Sequence, residues 1–187
     1  MVLKDSDIRP HLLNFIKEEH PNAFIKPEFN ISDGFVRSDI GVISDELHGY
    51  EIKSDVDTLR RLITQEICYS NVFSTATLVT TKKHLEKSLE IIPKWWRVLL
   101  IDENFSFKVH RDSEPNYNNC TIALVQLLKE KEAKDILRLS ELKEFAYADR
   151  NQILRGILNV YSESEIKFLT CLKLKARYKA FKNKSYY

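Results

Sequence analysis

Apolar residues in the first part of the chain recur at helical spacing and then switch to strand spacing, and that switch sets the order of elements. Leu12, Leu13, Phe15 and Ile16 form one face of a helix from about Ser6 or Asp7 to Glu19, which His20-Pro21-Asn22 ends. Alternation then predicts short strands over Lys26–Ile31 and Phe35–Ile43, on either side of the turn Ser32-Asp33-Gly34. A polar turn over Ser44–His48 and Gly49 leads to a third strand, Tyr50–Lys53. Ser54 is a helix N-cap residue with Asp55 and Asp57 in the first turn, so a helix to about Phe73 follows, with Val56, Leu59, Leu62, Ile63, Ile67 and Phe73 as its inward face.

Ala76–Thr80 and Arg97–Ile101 read as buried strands, separated by a short helix over Lys82–Glu90 and by Pro93, and Phe105–His110 alternates as an edge strand. Past a polar loop over Arg111–Asn119 the pattern is helical throughout: about 120–134, 140–147, 149–161 and 162–182, the last opened by a Ser162/Glu165 capping box. The expected fold class is therefore α/β, with a mixed-element core over 1–110 and a helical extension over 111–187.

Composition narrows the functional classes. At 187 residues, 43% hydrophobic and 30% charged, the chain can bury one ordinary core. No apolar run approaches the ~20 residues that span a bilayer, and Met1-Val2-Leu3-Lys4-Asp5 has no secretory pattern, so a cytoplasmic protein without a membrane partner is expected. Cys68, Cys120 and Cys171 are odd in number and lie in apolar helical patterns, which fits reduced core residues. The five histidines are scattered without a second ligand at metal-binding spacing, His48 drawing interest only because it precedes Glu51 in the turn. No G-x-x-x-x-G-K-[ST] is present, which argues against intrinsic ATP use.

The net charge of +2 conceals an asymmetry: Lys167, Lys173, Lys175, Arg177, Lys179, Lys182 and Lys184 occur with no acid between them, whereas Asp33, Asp39, Asp45, Glu46, Glu51, Asp55 and Asp57 crowd the first half. An acidic pocket beside a basic extension suits a protein that takes a cation and a polyanion together, and a solvated helix face explains the basic stretch equally well.

Candidate chemistry gathers at the hairpin. If Asp39 opposes Lys53 and Gly41 opposes Glu51, the two acids and the lysine share one sheet face, with the acids diagonal neighbours roughly 7–8 Å apart along the backbone. Gly41 would leave room above them. Mg²⁺ prefers oxygen ligands, usually one or two carboxylates with water and a substrate phosphate, and the Ile52 carbonyl offers a further oxygen. Lys53 would orient the attacking water or stabilise charge in the transition state.

The order helix, three strands, helix, strand, with Asp39 and Glu51-Ile52-Lys53 at the hairpin, resembles the PD-(D/E)XK nuclease superfamily, the restriction-endonuclease-like fold. Arg37-Ser38-Asp39-Ile40 and His48-Gly49-Tyr50-Glu51-Ile52-Lys53-Ser54 resemble a small bacterial branch of it, and the similarity continues through Pro93-Lys94-Trp95-Trp96. The resemblance implies an αβββαβ core with a central mixed sheet flanked by helices, Mg²⁺ or Mn²⁺ bound by Asp39 and Glu51, and a water-assisting role for Lys53. It implies hydrolytic cleavage of nucleic acid, DNA foremost; a non-catalytic nucleic-acid-binding or regulatory module on the same fold is the alternative. Gln65 and Tyr69 match the Q-x-x-x-Y pair of RecB-like relatives and form a polar stripe with Thr58 and Arg61. The superfamily's Pro-Asp pair is Ser38-Asp39 here. Its early acid is met by Glu28, on the strand beside the hairpin, or by Glu18 or Glu19. Nucleic-acid contacts are expected from Arg37, Arg61, Tyr69, Lys94, Lys173, Lys175, Arg177 and Lys179, with Trp95 and Trp96 favoured as packing residues. Many members of the superfamily pair to cut both strands, so a homodimer is one arrangement it allows.

Overall fold

The computed structural model describes residues 1–140 and 148–184, apart from the side chains of residues 180–184. Helix α1 (Asp5–Glu19) starts where Asp7 turns back to accept the Lys4 backbone N–H at 2.9 Å, and it buries Ile8, Leu12 and Ile16, one residue per turn. It is followed by β1 (Phe24–Ile31), a 3-10 turn (Ser32–Gly34), β2 (Val36–Ile43), β3 (Leu47–Lys53), α2 (Leu62–Val72), β4 (Thr75–Thr80), α3 (Leu85–Leu89), β5 (Arg97–Ile101) and β6 (Phe107–Arg111). Four helices close the described chain: α4 (Thr121–Gln126), α5 (Glu130–Arg138), α6 (Arg150–Val160) and α7 (Glu163–Lys184). The helix expected over 140–147 lies, save Ser140, outside the described residues.

The strands form one six-stranded mixed sheet in sequence order. β1, β2 and β3 are antiparallel, β4 runs parallel to β3 and β5 to β4 across the α2 and α3 crossovers, and β6 returns antiparallel. One face is covered by α1, whose Ile8, Leu12 and Ile16 meet Ile40, Val42, Tyr50, Ile52, Val79, Leu99 and Ile101. The other is covered by α2 together with the C-terminal helices. There Phe29, Tyr69, Phe73 and Trp96 share a single cluster with Leu124, Ile136, Ile157 and Leu174, so the change of element type near residue 110 is not a break in the core. Trp95 and Trp96 are packing residues, Trp96 stacking on Tyr69 at 5.0 Å. The cysteines are free thiols. Among the described residues no helix is long and apolar enough to cross a membrane.

Four expectations are corrected. Helix α2 begins at Leu62, not at Ser54, because the Ser54 N–H and hydroxyl bond to Asp57 and Asp55 is taken by Leu3 and Thr81, which closes a turn instead of capping a helix. The helix then presents Leu62, Gln65, Cys68, Tyr69 and Val72 inward and leaves Ile63 and Ile67 exposed, as is Val56 before it. The third concerns register: Gly41 pairs with Gly49 and Ile40 with Tyr50, two residues from the expected pairing, which sets Asp39 level with Glu51. The space over Gly41 is filled by the Phe29 ring, which a Cβ there would meet at 2.6 Å.

Candidate active site

Strict alternation fails at two facing residues. In β1, Ile25 packs on the α1 side but Phe29 and Ile31 on the α2 side; in β2, Val36 lies on the α2 side but Ile40 and Val42 on the α1 side. Both strands change face where Glu28 and Asp39 stand level, between the pairs Pro27–Ile40 and Phe29–Ser38. Glu28 takes φ 54°, a left-handed conformation rare for a side chain of its kind. The bend opens a fork between β2 and β3, whose ladder ends at Ile40–Tyr50. The Asp39 carboxylate fills it, Oδ2 accepting the Ile52 N–H at 2.7 Å.

On β3 alternation holds, and Glu51 and Lys53 both point toward α2. Each is buried, and their mutual bond is 2.5 Å. Gln65 closes a triangle: its Nε2 donates to Glu51 Oε1 at 2.6 Å and its Oε1 accepts from Lys53 at 3.0 Å. Tyr69 donates to Glu51 Oε2 at 2.6 Å. Its ring approaches β3 over Gly49, where a Cβ would stand 2.9 Å from it. This is why α2 turns Gln65 and Tyr69 inward while two isoleucines face water: a buried carboxylate and ammonium require donors and acceptors that apolar side chains lack.

Arg9 of α1 binds the other side of the fork, donating to the Asp39 carbonyl at 2.9 Å and to its Oδ1 at 3.1 Å, with Asp5 and Glu28 as further partners. Burial opposes its charge, but Asp5 and Asp39 outweigh that and raise its pKa. Burial, and then repulsion from Glu51, push the Asp39 carboxyl up to about 6 against the Ile52 N–H, Arg9 and Lys53. These groups line one open cavity of about 500 Å³, whose rim carries Phe35, Arg37, Arg61 and Thr64.

A family model described as bacteriophage P4 protein cII matches residues 2–186. The chain belongs to that family. No curated protein and no solved structure matches it.

Of the residues singled out in the sequence, the fold brings Glu28, Arg37, Asp39, Glu51, Ile52, Lys53, Arg61 and Gln65 to the cavity. The Ile52 side chain packs under α1, so what it shows the cavity is backbone. Tyr69, expected as a nucleic-acid contact, is fully buried and instead holds Glu51. Lys94 is exposed and is not among the cavity-lining residues. The basic stretch of α7 is partly neutralised by acids distant in sequence: Lys173 by Asp135, Lys175 by Asp45 and Arg177 by Glu132, while Lys179 is exposed. Those pairs tie the helix to the rest of the molecule. His48 is held between Ser44 and Thr75 and has no part in the cavity. Arg9 and Asp5 were missed; their i,i+4 spacing signals only an ordinary helix pair.

Among the described residues no three His, Cys, Asp or Glu side chains form a ready metal cage. The donor chemistry nevertheless fits a hard cation. A carboxylate has about four lone-pair sites. Glu51 uses three of them, and each Asp39 oxygen accepts one bond, so oxygen capacity remains on both acids. Burial first, and Glu51 second, disfavour the ionised Asp39 carboxylate, and a cation seated beside it would favour that form.

Proposed function

We propose that this chain is a metal-dependent nuclease, hydrolysing phosphodiester bonds in DNA on a restriction-endonuclease-like core. The observation that carries the reading is the pairing of a buried, fully oriented Glu51–Lys53–Gln65 cluster with Asp39 in the strand fork, at the floor of an open cavity. Asp39, Glu51 and the Ile52 carbonyl would hold Mg²⁺ or Mn²⁺, with Glu28 beside them. Such an ion, when bound, polarises a phosphodiester oxygen and makes water more acidic. Lys53, held by Glu51 and Gln65, keeps an ammonium aimed at the acids, where it can orient the attacking water and balance charge developing on phosphate. Arg37 and Arg61 at the rim attract the backbone.

The test is cleavage of a panel of labelled nucleic acids with Mg²⁺, comparing the natural chain with Asp39→Asn. Asp39 is the better target than Glu51, because Asn keeps the acceptor for Ile52, whereas Glu51→Gln turns one oxygen that accepts buried donors into a donor. Cleavage should fall by about 10²-fold or more while thermal melting shows a folded chain. No cleavage of any substrate by the natural chain, with equal DNA binding with and without Mg²⁺, overturns the nuclease reading. A non-catalytic nucleic-acid-binding module would then replace it, a reading favoured by the Arg9 guanidinium already paired with Asp39.

A further inference from the structure

Among the described residues that line the cavity, Phe35 is the one aromatic side chain. It is 78% exposed and lines the rim, next in sequence to the 3-10 turn between β1 and β2. Three successive residues of that turn, Ser32, Asp33 and Gly34, take left-handed φ of 51°, 53° and 88°, and the Phe35 N–H closes it on the Ser32 carbonyl at 3.0 Å. Gly34 adopts such a conformation freely and Asp33 at little cost, so Ser32 is the residue held against its preference. The turn is braced from behind: Arg150 of α6 reaches Asp33 Oδ1 at 3.3 Å and the Gln126 carbonyl, at the end of α4, at 3.0 Å. A second cavity of about 540 Å³ lies against the same turn, sharing Asn30 and Gly34 with the first. The helical extension thus supports the segment that, among the described residues, carries an uncovered aromatic ring to the mouth of the site, with Arg37 and Arg61 on the same rim.

We infer that Phe35 is a stacking post for an unpaired base, so that the strand taken by this site is single-stranded where it crosses the rim. The inference rests on the nucleic-acid reading proposed above. Aromatic rings bind bases through their π-faces without regard to sequence, and a base paired and stacked inside a duplex has no free face to offer. Arg61 on the same rim can meet a phosphate beside a stacked base, and Arg37, whose Nε is ion-paired with Glu28 at 2.6 Å, keeps its other guanidinium nitrogens for a second. Arg150 acts as a positioning residue, through the turn and not on the strand.

Binding of the full chain to a single-stranded DNA 12-mer carrying 2-aminopurine, and to the same sequence as a duplex, separates the possibilities when measured without divalent metal. Phe35→Ala should weaken single-strand binding roughly tenfold, the loss expected for one base–aromatic stack, and leave duplex binding unchanged. Phe35→Tyr should retain the natural affinity. Arg150→Ala should cause a smaller loss and add nothing in the Phe35→Ala background. Unchanged single-strand affinity in Phe35→Ala, or equal losses on both forms, overturns the inference. So does a change confined to the sedimentation coefficient, which would make Phe35 a contact between copies. Because no cleavage is read, Asp39-dependent cutting with a silent Phe35 removes this inference alone. Phe35-dependent single-strand binding by a chain that never cuts removes only the nuclease reading.

Discussion

On the α1 side of β3, Tyr50 and Ile52 are 2% and 3% exposed among isoleucines, leucines and valines; on the α2 side, Glu51 and Lys53 are also 2% and 3% exposed, among a glutamine and a tyrosine. Equal burial is thus achieved by opposite means on adjacent residues. The apolar side gains free energy in proportion to the area it removes from water, and each side chain contributes nearly on its own. The polar side spends desolvation energy and recovers it only while every partner is in place, so its members rise and fall together. A domain that needed only a core would have placed two more aliphatics there.

The sharpest way to break this contrast is to remove one charge. Lys53→Met leaves Glu51 buried without its ammonium and should cost about 3–5 kcal/mol in urea unfolding at neutral pH. Glu51→Leu combined with Lys53→Met should recover at least half of that. A double variant as unstable as the single one would show that the two faces do not differ in kind.

Asp39 comes next, and here pH decides the sign. Its folded pKa of about 6 lies above the ordinary 3.8, so the contribution to stability is full below pH 4 and is lost as pH rises through 6. Asp39→Asn should therefore be more stable than the natural chain at pH 8, by about 2 kcal/mol, with the difference closing below pH 4. His48, pushed down to about 4 by burial and by His20, acts in the opposite direction, its contribution being lost as pH falls from 6.5 toward 4. Subtracting the natural chain's own pH profile removes that term. A pH-independent difference would mean that Asp39 does not titrate in this window.

Ile52→Val should cost about 1 kcal/mol, independent of pH, as a methylene lost from a packed apolar face. Ile67→Ala, on the exposed side of α2, should change stability by no more than about 0.5 kcal/mol. A loss there as large as that of a core isoleucine would show that α2 buries its aliphatic side under conditions of measurement.

Period-two alternation was enough to put Glu51 and Lys53 on one face, and period 3.6 with the local caps was enough for α1, the Asp149 start of α6 and the Ser162–Glu165 start of α7, because those signals depend on residues within a turn or two of one another. Asp39 was legible as a candidate because its spacing to Glu51 limits where the two can meet on a hairpin, whereas Gln65 and Glu28 were candidates only through the family resemblance. The sequence by itself therefore determined the α/β order of elements and the polar inner face of β3. Tertiary structure decided the rest. The two-residue shift of register keeps the same side chains inward, so alternation could not distinguish it from the expected pairing. The face change at Glu28 and Asp39 is a bend shared by two strands and leaves no periodic trace in either. Aliphatic periodicity pointed Ile63 and Ile67 inward, but the demand of a buried Glu51 for the Tyr69 hydroxyl and the Gln65 amide turned α2 the other way. The α7 charges meet acids about 40 to 130 residues away, at distances only the folded chain creates. Local periodicity reports which side of an element is suited to burial, whereas the partners that make a buried charge tolerable come from elsewhere in the chain, and their positions exist only after folding.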